Sequence, residues 1–332
     1  MARLYLEEYT RALASKTVCI ACREGILRDH FAAVVADIKF LNRRGIGTVL
    51  YHNIPNRFAN QKDFKTLAQR LPETRIVRVN PETDFYGHVL DHETRAHKLV
   101  FLERKPLLDP SGNRINAITT QGMRQQIISW GDLIANVNFR GALERICASI
   151  DQGHYDRVHI LPAAKNAIKQ ELFTIEGYGT LIANNFVESF QPVCSRNEVP
   201  IIKGILELYK REGFLKPRTE AYLDTHCRNF FVTLIDGIVV GCVEKKMLDA
   251  ETVEIGALAI STRFLNQRVG IFTVQQFMHT MQQQGFRRFV SLTNNPKLRR
   301  LFLSLGYAEP APDTLPQRRQ ASPGVALFLK EI

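Results

Sequence analysis

Apolar positions along this chain recur in two rhythms, and the changes between them mark out its elements. The run TVCIAC at 17–22 is apolar nearly throughout, as a strand buried on both faces reads. Residues 29–43 then place Phe31, Val34, Val35, Ile38, Phe40 and Leu41 at helical spacing, and Gly45 precedes a second strand-like run, GTVLY. Strand, helix, strand in that order predicts a parallel βαβ unit, because parallel strands need a crossover between them. KLVFL from Lys98, RVHIL from Arg157 and GTLIA from Gly179 read as further strands. Pro110, Ser111 and Gly112 supply turn chemistry, and helical stretches fill 117–152. Residues 1–190 therefore read as a three-layer α/β domain.

From about 187 the pattern changes. A helix is predicted over 197–212, and FFVTLIDGIVVGCVE reads as two strands joined at Asp236-Gly237, a strong short hairpin signal. VEIGALAI from Val253 is another strand, followed by a helix over 270–284 and the strand FVSLT. Pro296 suits the first turn of a helix that runs to Leu305, and Gly306 suits its end. VALFL from Val325 closes the pattern as a strand. The division falls in VESFQPVCSR, giving domains 1–190 and 191–332, the second an α+β fold with a mixed, mainly antiparallel sheet.

Composition narrows the class. The 332 residues are 45% apolar and 23% charged, ordinary for a globular protein. No apolar run reaches the roughly 18 residues that span a bilayer, and the first residues carry Glu7 and Glu8 with no signal-like stretch. A cytoplasmic protein without membrane contact is expected. The net charge of +11 points to acidic partners, nucleic acid or a polyphosphate such as coenzyme A. The cations are scattered, with no basic tract or aromatic–basic pattern, so a solvated basic surface is expected and nucleic acid is not. Six cysteines are present. Cys19 and Cys22 form a lone CxxC on an apolar run and read as buried thiols, since a zinc site needs a second pair. His88 and His92 flank a loop and give no metal set.

The most specific segment is ALAISTRFLNQRVGIFTVQQF. A strand ends near Ile260 and a helix starts near Gly270, and first-turn N–H groups make an anion site. Gln267-Arg268-Val269-Gly270-Ile271 resembles the pyrophosphate loop of GNAT acetyltransferases, with Phe272 departing from a small-residue position. Asn295-Pro-Lys-Leu-Arg-Arg-Leu-Phe302-Leu-Ser-Leu-Gly306-Tyr307 resembles that family's second cofactor segment. The resemblance implies acetyl-CoA as cosubstrate, held by Leu258, Ala259, Ile260, Gln267, Arg268, Val269, Gly270, Ile271, Asn295 and Phe302. Amine attack on a thioester needs a base. Glu254 opens the strand EIGALAI, and alternation puts it on one face with Gly256, Leu258 and Ile260. It reads equally as a base and as a strand-end surface residue. Backbone N–H groups at Leu258 to Ile260 are expected to polarise the thioester carbonyl. Phe302 stands where the family carries an acidic tyrosine.

The likeness goes further. Gly213-Phe-Leu-Lys-Pro-Arg218-Thr-Glu-Ala-Tyr-Leu223, Asp236-Gly237, Gly241-Cys242 and Leu315-Pro316 resemble the catalytic domain of bacterial N-acetylglutamate synthases. Lys98-Leu-Val-Phe-Leu, Leu108–Ile115, Arg157–Ile160 and Glu171-Leu-Phe-Thr-Ile-Glu-Gly177-Tyr-Gly179-Thr180 resemble the amino-acid-kinase-like domain those enzymes carry in front of it. That domain is shortened here between Leu50 and Lys98. Its two phosphate-cradling loops read Ala21-Cys22-Arg23-Glu24 and His52-Asn53-Ile54-Pro55-Asn56, so no kinase activity is expected. The resemblance implies Arg218 as an acceptor-carboxylate ligand, and Glu171, Gly177 and Gly179 as part of an arginine effector site. Glu171–Gly179 reads otherwise as a turn kept for packing. It implies a homo-oligomer through the kinase-like domain. The family's terminal substrate-binding run is missing, leaving Arg318, Arg319 and Ser322 as substitutes.

The expected function is transfer of acetyl from acetyl-CoA to the α-amine of glutamate or a related amino acid, of the arginine-biosynthesis type. The alternatives are a non-catalytic regulator that binds acetyl-CoA or arginine, and acetylation of another amine.

Overall fold

The computed structural model describes residues 5–93, 96–130, 137–186, 188–193, 196–265, 267–311, 314–315 and 324–332. The chain divides into two compact units, Met1–Phe186 and Val187–Ile332.

The first unit is built on β1 (Thr17–Cys22), β2 (Gly47–His52), β3 (Thr74–Arg78), β4 (Lys98–Glu103), β5 (Ala117–Thr119), β6 (Arg157–Pro162) and β7 (Thr180–Ala183). They form one sheet in the order β3-β2-β1-β4-β6-β7-β5. β3, β2, β1, β4 and β6 pair in parallel, whereas β7 runs antiparallel to β6. Cys19, Ala21, Val49, Tyr51, Leu99 and Phe101 pack on one face against the helices Phe85–His92, Thr120–Trp130 and Val137–Asp151. Their alternates Val18, Ile20, Leu50 and Val100 are buried as completely. Helices cover both faces, so each strand reads as an unbroken apolar run. The expected three layers are there. β3 and β5 were not legible in the pattern. Cys19 and Cys22 are buried on β1, where burial pushes both thiols up.

The second unit contains β8 (Glu188–Pro192), β9 (Phe230–Ile235), β10 (Ile238–Met247), β11 (Thr252–Ile260), β12 (Arg288–Thr293) and β13 (Ala326–Glu331), in the order β13-β12-β11-β10-β9-β8. All neighbours are antiparallel except β11 and β12. The sequence division at 190/191 falls inside β8, which pairs with β9 as the sheet's edge. One apolar residue of β8, Phe190, stacks on Phe231 at 5.4 Å. Asp236 and Gly237 turn the β9–β10 hairpin with φ of 54° and 76°, a conformation glycine and aspartate tolerate. Val253, Ile255, Phe277, Phe289, Phe302 and Phe328 form the core beneath the helix Val269–Gln283.

Asp37 ties the first unit's sequence-distant helices together. It lies on the helix Glu24–Asn42, 3% exposed, and its Oδ2 accepts the Ile168 N–H at 3.0 Å, at the start of the helix Ala167–Phe173. Burial pushes its carboxyl up to about 6, against backbone N–H bonds that pull it down. The unfolded group titrates near 3.8, so the folded state holds the proton more tightly between the two values. Stability is therefore lost as pH rises through that window, by up to about 3 kcal/mol. Asp37→Asn cannot ionise and should gain stability relative to the wild type as pH rises from about 4 to about 6. Urea unfolding at several pH values measures this, and a constant difference across the window refutes it.

Candidate functional site

The site is built where two parallel strands of the second unit part. β11 and β12 pair from Thr252–Arg288 to Glu254–Val290, and β11 then runs six residues beyond the ladder to Ile260. On its other side β11 stays with β10, but the register shifts between Cys242↔Ala259 and Glu244↔Gly256. Two residues of β11 there, Ala257 and Leu258, oppose one of β10, Val243, a β-bulge, and Ala257 takes up the extra length at φ 44°. A left-handed alanine stores strain of the order of 1–2 kcal/mol.

The bulge reverses the facing of the strand. Before it, Val253 and Ile255 point into the core; after it, Leu258 does. The expectation that simple alternation puts Leu258 and Ile260 on the face of Glu254 is therefore corrected. Ile260 lies towards Gly270 on the helix Val269–Gln283, where a Cβ would come within 3.8 Å of its Cγ1.

A cavity of about 510 Å³ opens at this strand end. Leu258, Ala259 and Ile260 form one wall. Arg268, Gly270 and Ile271 form a second, at the first turn of the 15-residue helix Val269–Gln283, whose N-cap Arg268 is left-handed at φ 60°. Asn295 opens the third wall, with Lys297 and Arg300 following on the helix Pro296–Ser304. Asn295 is 5% exposed, and its side chain accepts the Lys297 N–H at 2.9 Å, capping that helix. Three cations, Arg268, Lys297 and Arg300, meet one lining carboxylate, Glu212, so the cavity favours an anion.

Seven expected cofactor residues thus gather at one cavity. Val269 is instead fully buried, and Gln267 and Phe302 lie off its lining. Phe302 is fully buried between Tyr307, at 5.0 Å between ring centroids, and Phe328. Its ring is turned into the core, as the apolar side of its helix requires. Tyr307 is a core residue too, with a buried hydroxyl lacking a partner among the described residues and pushed up by burial.

Sequence reasoning missed Tyr209. It lies on the helix Val199–Arg211 and lines the cavity. Its hydroxyl donates to the Ile260 carbonyl at 2.8 Å and accepts the Ile260 N–H at 3.4 Å. Burial pushes that hydroxyl up to about 12.

A second group of side chains sits on the β10–β11 face opposite the core. Glu254 is 4% exposed, and Lys246 Nζ, its cross-strand neighbour, lies 3.5 Å from Oε1. Lys246 is also 3.7 Å from Glu244 Oε2. Glu244, 1% exposed, takes Arg218 Nη2 at 3.0 Å and the Tyr222 hydroxyl. Arg218 lies over the Tyr222 ring, 5.2 Å from its centroid. Burial and the Glu244 charge push the Tyr222 hydroxyl up. The expected base and the expected carboxylate ligand therefore belong to one cluster, joined through Glu244 and Lys246. Arg318, Arg319 and Ser322 lie outside the described residues.

In the first unit Glu171 is 2% exposed and engaged on both oxygens. Oε1 is 2.6 Å from His159 Nδ1, and Oε2 accepts the N–H groups of Tyr178 and Gly179 at 2.6 and 2.8 Å. Gly177 has φ 66°, and a Cβ on Gly179 would lie 2.3 Å from the Ile160 carbonyl oxygen. The segment is a close-packed turn, and a guanidinium at Glu171 would have to displace these partners. His88 and His92 stack on the helix Phe85–His92, and no cluster of three metal-ligating side chains occurs among the described residues.

Residues 200–307 match the acetyltransferase (GNAT) family. The amino-acid acetyltransferase of Neisseria meningitidis is 29% identical over 171 residues, which are 51% of this chain and 38% of that protein. The amino-acid acetyltransferase of Pseudomonas fluorescens is 25% identical over 307 residues, 86% of this chain and 68% of that protein. The chain thus spans about 38% of the length of the Neisseria relatives it matches. The crystal structure of N-acetylglutamate synthase from Neisseria gonorrhoeae, complexed with coenzyme A and L-arginine, superposes over 99% of this chain and 98% of that one. The TM-score is 0.57 at 19% identity. That likeness shows the fold: an amino-acid-kinase-like α/β unit followed by a GNAT unit.

Tyr209 answers the polar groups of Ile260 beyond the end of the β11–β12 ladder. Tyr209→Phe should lower the stability of the second unit by about 1–2 kcal/mol, the range for a buried carbonyl losing its donor. It should also raise hydrogen exchange at the Ile260 amide. Unchanged denaturation and exchange would refute the assignment.

Proposed function

We propose that the chain transfers an acetyl group from acetyl-CoA to the α-amine of an amino acid, glutamate or a relative of it. The observation that carries the reading is the cavity at the diverging end of β11. It joins an open strand end, a helix N-terminus and three cations in one place.

Each part suits one portion of the cosubstrate. First-turn N–H groups at Val269, Gly270 and Ile271 suit the pyrophosphate, helped by Arg268 and by the positive end of the helix dipole. Gly270 keeps that turn open, since a Cβ there would already lie 3.1 Å from Leu301 Cδ1. The amide groups of the pantetheine arm suit a strand edge, where β11 beyond the ladder presents peptide donors and acceptors. The amino-acid acetyltransferases similar to this chain and the GNAT match over 200–307 support the same assignment.

In the transfer, the neutral amine nitrogen attacks the thioester carbonyl carbon and the C–S bond breaks. The acetyl group leaves on nitrogen and the electron pair leaves on sulfur. Glu254 is the base in this reading and takes the amine proton, directly or through water. Backbone N–H groups along Leu258–Ile260, displaced from regular alternation by the Ala257 bulge, face the charge that grows on the carbonyl oxygen. Phe302 donates no proton, and a thiolate of pKa about 8.5 departs without a strong acid. No described helix is long and apolar enough to cross a membrane.

Free CoA release with a panel of amino acids tests the reading. Silence across the panel, with acetyl-CoA bound, overturns it. Glu254→Gln should lower kcat by about 100-fold or more while leaving CoA affinity in place, the usual worth of a positioned base. Undiminished turnover removes Glu254 from that role. Gly270→Asp, which sets a carboxylate at the anion site, should weaken CoA binding by about tenfold or more in calorimetry. Unchanged affinity would move the pyrophosphate elsewhere.

A further inference from the structure

The strand edge suited to the cosubstrate's arm is already bonded at one residue. Ile260 ends β11 opposite Gly241 of β10, and the next residue, Ser261, gives its N–H to the Val240 carbonyl at 2.6 Å. Peptide groups alternate in direction along a strand, so those of Ile260 point the other way, to the edge that β12 has left. The Tyr209 hydroxyl meets them there. It donates to the Ile260 carbonyl at 2.8 Å and accepts the Ile260 N–H at 3.4 Å. One phenol thus does for Ile260 what a facing strand residue does, giving one hydrogen bond and taking one.

We infer that Tyr209 holds the place of an amide of the cosubstrate's pantetheine arm, and that the arm displaces its hydroxyl from Ile260 in order to bind. The inference rests on the acetyl-transfer reading above and goes beyond it in naming the residue that limits cosubstrate affinity.

The cavity itself carries the first step. Tyr209, Leu258, Ile260, Arg268 and Gly270 line one space. An arm that starts from a pyrophosphate at the helix N-terminus by Gly270, with its thioester towards Leu258, runs past Ile260. The second step is exclusion. An N–H has one proton to give, and hydroxyl and arm reach it along the same edge, so they cannot both be bonded to it. The third is the ease of the exchange. Tyr209 is half-buried at the cavity wall, and its hydroxyl, pushed up to about 12 by burial, carries no charge that displacement would strand. The arm's bond to Ile260 therefore replaces a bond already present, and only the difference contributes to affinity. CoA, the product, has the same arm, so the return of Tyr209 to Ile260 favours its release.

Calorimetry on the full chain tests this with two ligands. CoA carries the arm; adenosine 3′,5′-bisphosphate is the nucleotide end of the same molecule without it. Tyr209→Phe keeps the ring and removes the competing hydroxyl. It should bind CoA about fivefold more tightly than the wild type or better, with the affinity for the bisphosphate unchanged. A cavity merely loosened by the substitution would move both ligands together. Unchanged or weaker CoA binding in folded Tyr209→Phe overturns the inference, as does an equal change for both ligands. A cocrystal of the wild type with CoA decides the matter even where the variant fails to fold. The Tyr209 hydroxyl should then lie beyond hydrogen-bond distance of Ile260, with an amide of the arm in its place; a hydroxyl still bonded to Ile260 beside bound CoA overturns the inference and leaves the acetyl-transfer reading standing. A wild type that binds no CoA overturns that reading, and this inference with it.

Discussion

Strands β11 and β12 pair over three residues and then part. Much of the second unit follows from that short ladder. A parallel pair that continued to Ile260 would satisfy the strand's polar groups and close the sheet. Because the pair ends at Glu254, the chain must find other partners for what lies beyond. Tyr209 reaches from the helix Val199–Arg211 to Ile260, and the remaining space becomes the cavity. The Ala257 bulge belongs to the same device. By reversing which residues face the core, it lets Glu254 stand on one face while Leu258 packs on the other. A regular strand would bring a charged and an apolar wall to the same side.

Both units solve the buried glutamate in the same way. In the first, Glu103 is 6% exposed, pairs with Arg23 at 2.8 Å and accepts from the Tyr86 hydroxyl, while Arg23 lies over the Tyr86 ring at 5.3 Å. In the second, Glu244, Arg218 and Tyr222 repeat the arrangement. The tyrosine acts twice, offering a proton to the carboxylate and a π face to the guanidinium. This matters because removing either cation would leave a desolvated charge, whereas the complete triad is self-consistent. Glu171 shows the other solution, with a histidine and two backbone N–H groups in place of a cation.

What was legible in the sequence is what local chemistry dictates. The Asp236-Gly237 turn, the Asn295-Pro296 helix start and the Gly306 end at φ 79° each carry their own signal. So do the long apolar strands of the first sheet. β3 and β8 were missed because they are edge strands with little alternation, and β5 because three residues carry no period. The bulge was illegible for a different reason. It falls on alanine, not on the glycine that usually marks a left-handed residue. Glu244 and Tyr209 were missed because their importance is non-local. In GCVEKK the glutamate reads as the charge at a strand's end, and only the packing of Arg218 and Tyr222 over it reveals burial. Motif brought together seven residues that line the cavity, but it carried Phe302 with them, and the core claimed it.

The polar edges of both units are met by the protein's own side chains. Asn53 Oδ1 accepts the Glu24 N–H at 2.6 Å, at the N-terminus of the helix that follows β1. That contact joins the carboxyl ends of β1 and β2, beside the β1–β4 position where the strand order of the first sheet reverses, the kind of place where such folds receive ligands. Tyr209 covers Ile260, and Glu244 covers Arg218. A ligand entering any of these places exchanges one set of hydrogen bonds for another, so only the surplus contributes to affinity. Such exchange sharpens selection. A ligand group that reproduces the internal partner's bonds is accepted at little cost, and one that leaves the displaced group buried and unpaired is rejected. For Ile260 the displaced group is a neutral hydroxyl, which a ligand amide can replace. For Arg218 it is a carboxylate on the same strand face as the proposed base, which cannot move far from its strand. The two internal partners therefore differ in kind: the tyrosine is a neutral group that a ligand amide can replace, whereas the glutamate is a buried charge held by Arg218 and Lys246.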